Sequence, residues 1–253
     1  MPAVKLVTWN VRCARPPLAE HLGAILRRLE ANVVVLTETA HDSLPPLRAA
    51  LASAGFGHLE ATAPTGQERG VLVAARQPLR RIELPDVPVP HRALLVALDS
   101  FQASVLGVYA PLAGTLGDGT DAQAVFWTWL RAELERRHGE ALLVAGDLNT
   151  CFAEDGDGHD LPCAQELKKV LGAGWRSAFR AVHPVARARS WWHQAGSAFR
   201  IDDVLVPPTA VVSSAGYHTE AGGHRLAWNH EGHQPTGVLS DHAALAVAVS
   251  AIG

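Results

Sequence analysis

Short apolar stretches punctuated by polar residues run the length of the chain, and their periods separate strands from helices. Val33–Thr37 and Ala141–Ala145 are unbroken apolar or β-branched runs. Runs of that kind read as strands covered on both faces. Lys5–Trp9 alternates and ends at polar Asn10, a strand passing into a loop. Gly70–Ala75, Ala93–Leu98, Ser104–Tyr109, Arg200–Val206, Ala210–Ser213 and Ala243–Val249 read as further strands. After Pro16-Pro17, the spacing of Leu18, Leu22, Ile25, Leu26 and Leu29 predicts a helix to about Glu30. Phe126, Leu130 and Leu134, with Val125 and Trp129 beside them, predict a second over Ala122–His138, capped by Asp121. Shorter helices are expected over Leu44–Ala54 and Ala164–Leu171. Leu84–Pro90 reads as a proline-punctuated loop or edge strand, and Gly216–Gly237 as a long Gly/His-rich loop. Consecutive strands without helices between them argue for two mixed sheets packed face to face rather than a βαβ alternation. No repeat or linker interrupts the pattern, so one domain over residues 1–253 is expected.

Composition narrows the function classes. With 253 residues, 48% hydrophobic and 19% charged, the chain is not a disordered segment. It is long enough to bury ~70% of its unfolded surface. Its apolar runs are too short to span a bilayer, so no membrane association is expected. Three cysteines make no disulfide framework, and Met1–Asn10 lacks the apolar core of a secretory leader. A reducing compartment, the cytoplasm, follows as the expected location. The net charge is −3, from 22 Lys+Arg against 25 Asp+Glu. A protein that grips nucleic acid by charge alone is usually strongly basic. A polyanionic substrate would therefore be met locally or through bound cations.

The candidate chemistry lies in the polar residues that close one strand after another: Asn10, Glu38, Tyr109, Asp147 with Asn149, Asp202, and Asp241 with His242. A single acid at a strand end is usually a turn former. Several together fit the α/β habit of gathering ligand groups at strand ends. Carboxylates converging on one rim repel unless a cation lies among them, and oxygen-rich sites suit Mg²⁺ or Mn²⁺ rather than Zn²⁺.

Seven segments occur in order across residues 4–250: Thr8-Trp9-Asn10, Leu36-Thr37-Glu38-Thr39, Val108-Tyr109-Ala110-Pro111, Gly146-Asp147-Leu148-Asn149-Thr150, Ser190-Trp191-Trp192, Arg200-Ile201-Asp202 and Ser240-Asp241-His242-Ala243. This series resembles the endonuclease/exonuclease/phosphatase superfamily, which includes AP endonucleases and pancreatic-type deoxyribonucleases. The resemblance implies a four-layer α/β sandwich of two mixed sheets flanked by helices, and metal-dependent phosphoester hydrolysis. It also implies roles. Glu38 becomes the main metal ligand, assisted by Asn10 and Asp241. Asp147 orients or deprotonates the attacking water, and Asn149 holds that water or the phosphate. His242 donates to a phosphate oxygen, with Asp202 fixing its tautomer. Tyr109 contacts the phosphate and Trp191 walls the pocket, with Trp192 its rival. Alternation along an extended segment places Asn149 on the same side as Asp147, and Asp203 on the face opposite Asp202.

Departures from the relatives matter too. AP endonucleases usually follow the metal glutamate with a lysine two residues on; here that position is Ala40. Arg12, Arg15 and Arg69 are the nearby candidates for phosphate contact. Glu154–Asp160 lacks the full ligand spacing of a Ca²⁺ loop and reads as solvated. His218, Glu220, His224, His230, Glu231 and His233 match no zinc spacing, and the segment reads as a substrate-facing loop. The expected activity is divalent-metal-dependent cleavage of phosphodiester bonds, with DNA the leading substrate and the protein a monomer. The alternatives are a phosphatase or phosphodiesterase on a small-molecule or lipid phosphoester, and a non-catalytic binding module of the same fold.

Overall fold

The computed structural model describes residues 3–14, 16–112, 114, 119–227 and 237–250. Its strands are β1 (Val4–Asn10), β2 (Val33–Thr39), β3 (His58–Ala61), β4 (Gly70–Ala75), β5 (Arg80–Ile82), β6 (Ala93–Leu98), β7 (Ala103–Tyr109) and β8 (Leu142–Asp147). The later ones are β9 (Arg176–Ser177), β10 (Trp191–Trp192), β11 (Ala198–Phe199), β12 (Asp202–Val206), β13 (Val211–His218), β14 (Glu220–Ala221), β15 (His224–Arg225) and β16 (Ala244–Ser250). The α-helices are α1 (Pro16–Arg28), α2 (Leu44–Ser53), α3 (Ala122–Arg136), α4 (Ala164–Gly172) and α5 (Ala178–Val182).

Among the described residues, twelve strands form two six-stranded sheets, ordered β13-β16-β1-β2-β4-β3 and β5-β6-β7-β8-β12-β9. Both are mixed: β1 runs parallel to β2 and antiparallel to β16, and β7 runs parallel to β8, which is antiparallel to β12. Successive residues of a strand point to opposite faces, and the buried residues sort accordingly into layers. Val33, Val35, Val71 and Val73 of the first sheet meet Leu94, Val96, Val105 and Leu143 of the second in a central core. Val34, Leu36 and Leu72 face outward against Leu22, Ile25 and Leu26 of α1 and Leu47 and Leu51 of α2. On the other side Leu106, Val108 and Val144 pack against Phe126, Trp127 and Leu130 of α3 and Leu167 and Val170 of α4. This is the expected four-layer sandwich. Each such side chain contributes about 1.5–3 kcal/mol on burial.

Asp121 caps α3 as predicted, its carboxylate accepting from the amides of Gln123 and Ala124. Gly107 sets the closeness of the layers, since a Cβ there would lie 2.7 Å from a Val71 methyl.

Three local expectations are overturned. Strand β13 runs on to His218, so Gly216–His218 belong to a sheet edge and not to a loop. The segment Glu154–Asp160 is not wholly solvated, because Asp155 is 2% exposed and its carboxylate binds both Arg180 and Arg200. Asn149 does not continue an extended segment: β8 ends at Asp147, and Asn149 has a left-handed φ of 48°. Its position comes from a tight turn, not from strand alternation.

Candidate active site

Strand register alone gathers the acids. In the first sheet, Asn10 pairs with Thr37, and Glu38 follows it near the end of β2. Antiparallel β16 starts beside the end of β1, bringing Asp241 and His242 to the other flank of Asn10. In the second sheet Asp147 pairs with Tyr109 on one side and Asp202 on the other. Both rows lie at the same edge of the sandwich. A hydrogen bond from Asn10 Nδ2 to Asp147 Oδ2, 2.9 Å, joins them.

At the centre, oxygens of Asp147 and Asp202 and a ring nitrogen of His242 lie within 4.8 Å of one another, all three residues buried. His242 Nδ1 donates to Asp202 Oδ2 at 2.8 Å, so Nε2 is the ring nitrogen left for a ligand. Burial works against the imidazolium. The carboxylate of Asp202 in contact, and those of Asp147 and Asp241 nearby, outweigh it and raise the pKa of His242 to about 10. Burial and the charge of Asp202 push the Asp147 carboxyl upward, with His242 pulling the other way.

The supports are backbone bonds. Trp9 Nε1 donates to the carbonyl of His242 at 2.8 Å, and Ser240 Oγ to that of Asn10 at 2.7 Å. Ser190 Oγ accepts from the amides of Ile201 and Asp202 at 2.9 and 3.0 Å. Tyr217 OH donates to the Asp202 carbonyl. Trp9, Ser190 and Ser240 stand inside the segments quoted above, where only their neighbours had a role. Tyr217 had no local signal. Asp203 turns away as expected and pairs with Arg200.

Gly146 shapes the exit of β8. Its φ is 150°, and a Cβ would lie 1.8 Å from the Val108 carbonyl oxygen, a place only glycine can occupy. The turn beyond it is closed by the Asn149 amide donating to Asp147 Oδ1 at 3.0 Å and by Asn149 Nδ2 donating to the Ala110 carbonyl at 2.6 Å. Glu38 occupies a bulge in β2 with φ of 57°, which swings it out of the pleat. It accepts a 3.8 Å contact from the Cys13 thiol. Burial and Glu38 raise the Cys13 pKa.

Tyr109 is 8% exposed, and burial with the charges of Glu38 and Asp147 pushes its phenol well above the usual range. Trp191, not Trp192, faces the site. Its ring centroid lies 6.3 Å from His242 and 5.9 Å from Phe199, and its Nε1 donates to Asp241 Oδ2 at 3.3 Å.

The expected metal ligands do not make the tightest cluster. Glu38 and Asp241 flank Asn10, while the acid–imidazole trio is Asp147, Asp202 and His242. The donor set nonetheless fits a hard cation. It is rich in oxygen, and Asp241 Oδ1 and Asp202 Oδ1 are buried without a hydrogen-bond partner. Asn10 Oδ1 accepts one bond, from the Arg12 amide. Arg12 Nε stands 3.9 Å from Asp241, and Arg69 precedes β4 at the same edge. Arg15, His230, Glu231 and His233 lie outside the described residues. His224 stacks on His21 of α1, with centroids 3.9 Å apart.

A family model for the endonuclease/exonuclease/phosphatase family matches residues 7–242. The chain belongs to that family. Phosphoester hydrolysis is the chemistry this assigns to the cleft. No curated protein matches the chain. Among solved structures, an AP endonuclease from Archaeoglobus fulgidus is similar, with a TM-score of 0.74 at 19% identity, covering 96% of this chain and 98% of that one. A 3′ phosphatase, NExo, from Neisseria, bound to a product DNA hairpin, gives 0.71 at 20% identity over 96% and 98%. A 3′-5′ exonuclease, NExo, from Neisseria meningitidis gives 0.67 at 20% identity over 98% and 100%. At these identities the likeness shows the fold that family members share. Among the described residues no helix is long and apolar enough to cross a membrane.

Proposed function

We propose that the chain is a Mg²⁺- or Mn²⁺-dependent nuclease that hydrolyses phosphodiester bonds in DNA, acting as a single-domain monomer in the cytoplasm. The observation that carries the reading is the buried Asp147–Asp202–His242 trio, set where strands of both sheets end and bonded across to Asn10. The DNA hairpin in one similar structure supports a nucleic-acid substrate. The three unpaired cysteines suit a reducing compartment.

A phosphodiester is anionic and repels an oxygen nucleophile. Asp147 accepts a proton from the attacking water as the water oxygen bonds to phosphorus; the leaving oxygen departs with its bonding pair and takes up a proton from solvent. His242, held as imidazolium by Asp202, donates from Nε2 to a non-bridging oxygen whose charge grows in the transition state. Asn149 gives one amide hydrogen to Ala110 and keeps the other for the water or the phosphate. Tyr109, protonated at any physiological pH, donates its hydroxyl to the phosphate. Trp191 walls the pocket beside His242. Glu38, Asn10 and Asp241 would hold the cation. When bound, it neutralises phosphate charge and polarises the P–O bonds.

Purified protein with plasmid, single-stranded and abasic DNA in Mn²⁺ tests this. Cleavage is expected, with Asp147→Asn slower by about 10²–10⁴-fold. An inert wild type, or an undiminished variant, contradicts the proposal.

A further inference from the structure

The loops that enter β4 and β6 come from different sheets yet are tied together. Thr62 Oγ1 donates to the His91 carbonyl at 3.1 Å and accepts from the Val71 amide at 2.9 Å. His91 Nε2 lies 3.1 Å from Glu68 Oε2. The residue following each member of that pair is an arginine, Arg69 and Arg92. Gly70 pairs with Thr39, so Arg69 enters β4 beside the bulge that carries Glu38. Ala93 pairs with Val108, so Arg92 enters β6 beside Tyr109.

Both guanidinium groups are held in place. Arg69 Nη1 donates to the carbonyls of Gln67 and Glu68, each at 2.8 Å. Arg92 lies over the Tyr109 ring, 4.0 Å from its centroid. Arg92 Nη1 is buried with no hydrogen-bond partner. A buried N–H left unmet is costly, and the cost is relieved when an acceptor arrives. Along the cleft the order is His242 and Asp202, then Asn10 and Asp147, then Glu38 and Tyr109, then the two arginines. With strands about 4.8 Å apart, the backbone of Arg92 stands two strands, roughly 10 Å, from that of Asp147. Its guanidinium, against the Tyr109 ring on the side away from His242, is placed to meet the phosphate next to the one His242 serves. The planar fork of arginine matches phosphate oxygens in pairs.

We propose that Arg92, with Arg69 beside it, forms a second anion subsite that holds the phosphate adjacent to the scissile one. The enzyme then prefers an oligonucleotide strand over an ester bearing a single phosphate. This rests on the hydrolase reading above and names its substrate class. It also gives a chain with net charge −3 a local pair of positive groups with which to meet a polyanion.

The test compares wild type, Arg92→Gln and Arg92→Lys on bis(p-nitrophenyl) phosphate, which has one phosphate, and on a short single-stranded oligodeoxynucleotide, both with Mn²⁺. Arg92→Gln is expected to lower kcat/KM on the oligonucleotide at least tenfold more than on the diester. Arg92→Lys should recover part of the difference. In parallel, anisotropy of the labelled oligonucleotide is read across a salt series in EDTA. The slope of log K against log salt should fall by about 0.7 for the lost contact on a single strand. Equal losses on the two substrates, or an unchanged salt slope, overturn the subsite. A wild type that cleaves neither substrate sinks the hydrolase reading, and the salt slope still decides whether the subsite exists.

Discussion

His242 carries a positive charge where burial alone would keep the ring neutral, and that has a consequence for stability. Its folded pKa, about 10, stands above the ordinary value near 6.5. A cationic group raised in this way stabilises fully below the unfolded pKa and loses that contribution as pH climbs through the folded one. Asp147, also raised, acts in the same direction at lower pH. Urea unfolding in EDTA should therefore show stability falling between pH 7 and 9, by at most about 1.4 kcal/mol per unit for His242. Asp202→Asn removes the partner that holds the proton and should flatten the profile. A profile unchanged by that substitution would mean that the pair is not charged. At this scale the sequence was partly readable. Asp202 was separable from Asp203 because neighbours on a strand face opposite ways. Asn149 reaches its place through a left-handed turn, which leaves no periodic trace in the sequence. The burial of Asp155 is not legible locally, because its partner Arg200 is 45 residues away.

At the scale of elements, the legible strands were those rich in Val, Leu and Ile, because two-sided burial demands unbroken apolar runs. The full length of β13 is hidden in the sequence because an edge strand with an exposed face tolerates Ser213, Ser214 and Gly216. Helix α5, at five residues, is too short for a 3.6-residue period to emerge. The bulge at Glu38 depends on pairing with β4 and so cannot be seen in one segment alone. The most exacting element is the exit of β8. Gly146→Ala would drive a Cβ into the Val108 carbonyl, and a loss of about 3 kcal/mol or more is expected in denaturant melts. Wild-type stability in that variant would mean that the β7–β8 pairing is looser than described.

For the whole molecule, the site exists only because two sheets end at one edge, so a cation there should report on the entire fold. An ion that binds only the folded chain stabilises it by about 2.7 kcal/mol at a hundredfold excess over its Kd. For a protein of this size that is roughly 5–10 °C in Tm. Mn²⁺ should produce such a shift, EDTA should reverse it, and Glu38→Gln should abolish most of it. The order of the seven segments made the architecture and family legible from sequence. The second anion subsite was not, because it needs the Thr62–His91 and Glu68–His91 links between distant loops.

Anomalous diffraction from a crystal soaked in Mn²⁺ and a deoxynucleoside monophosphate examines the convergence most directly. The expected result is a manganese peak among Asn10, Glu38 and Asp241, with a phosphate oxygen within hydrogen-bond distance of His242 Nε2. Manganese bound elsewhere, with the Asp147–Asp202–His242 cleft bare of phosphate, would contradict the account.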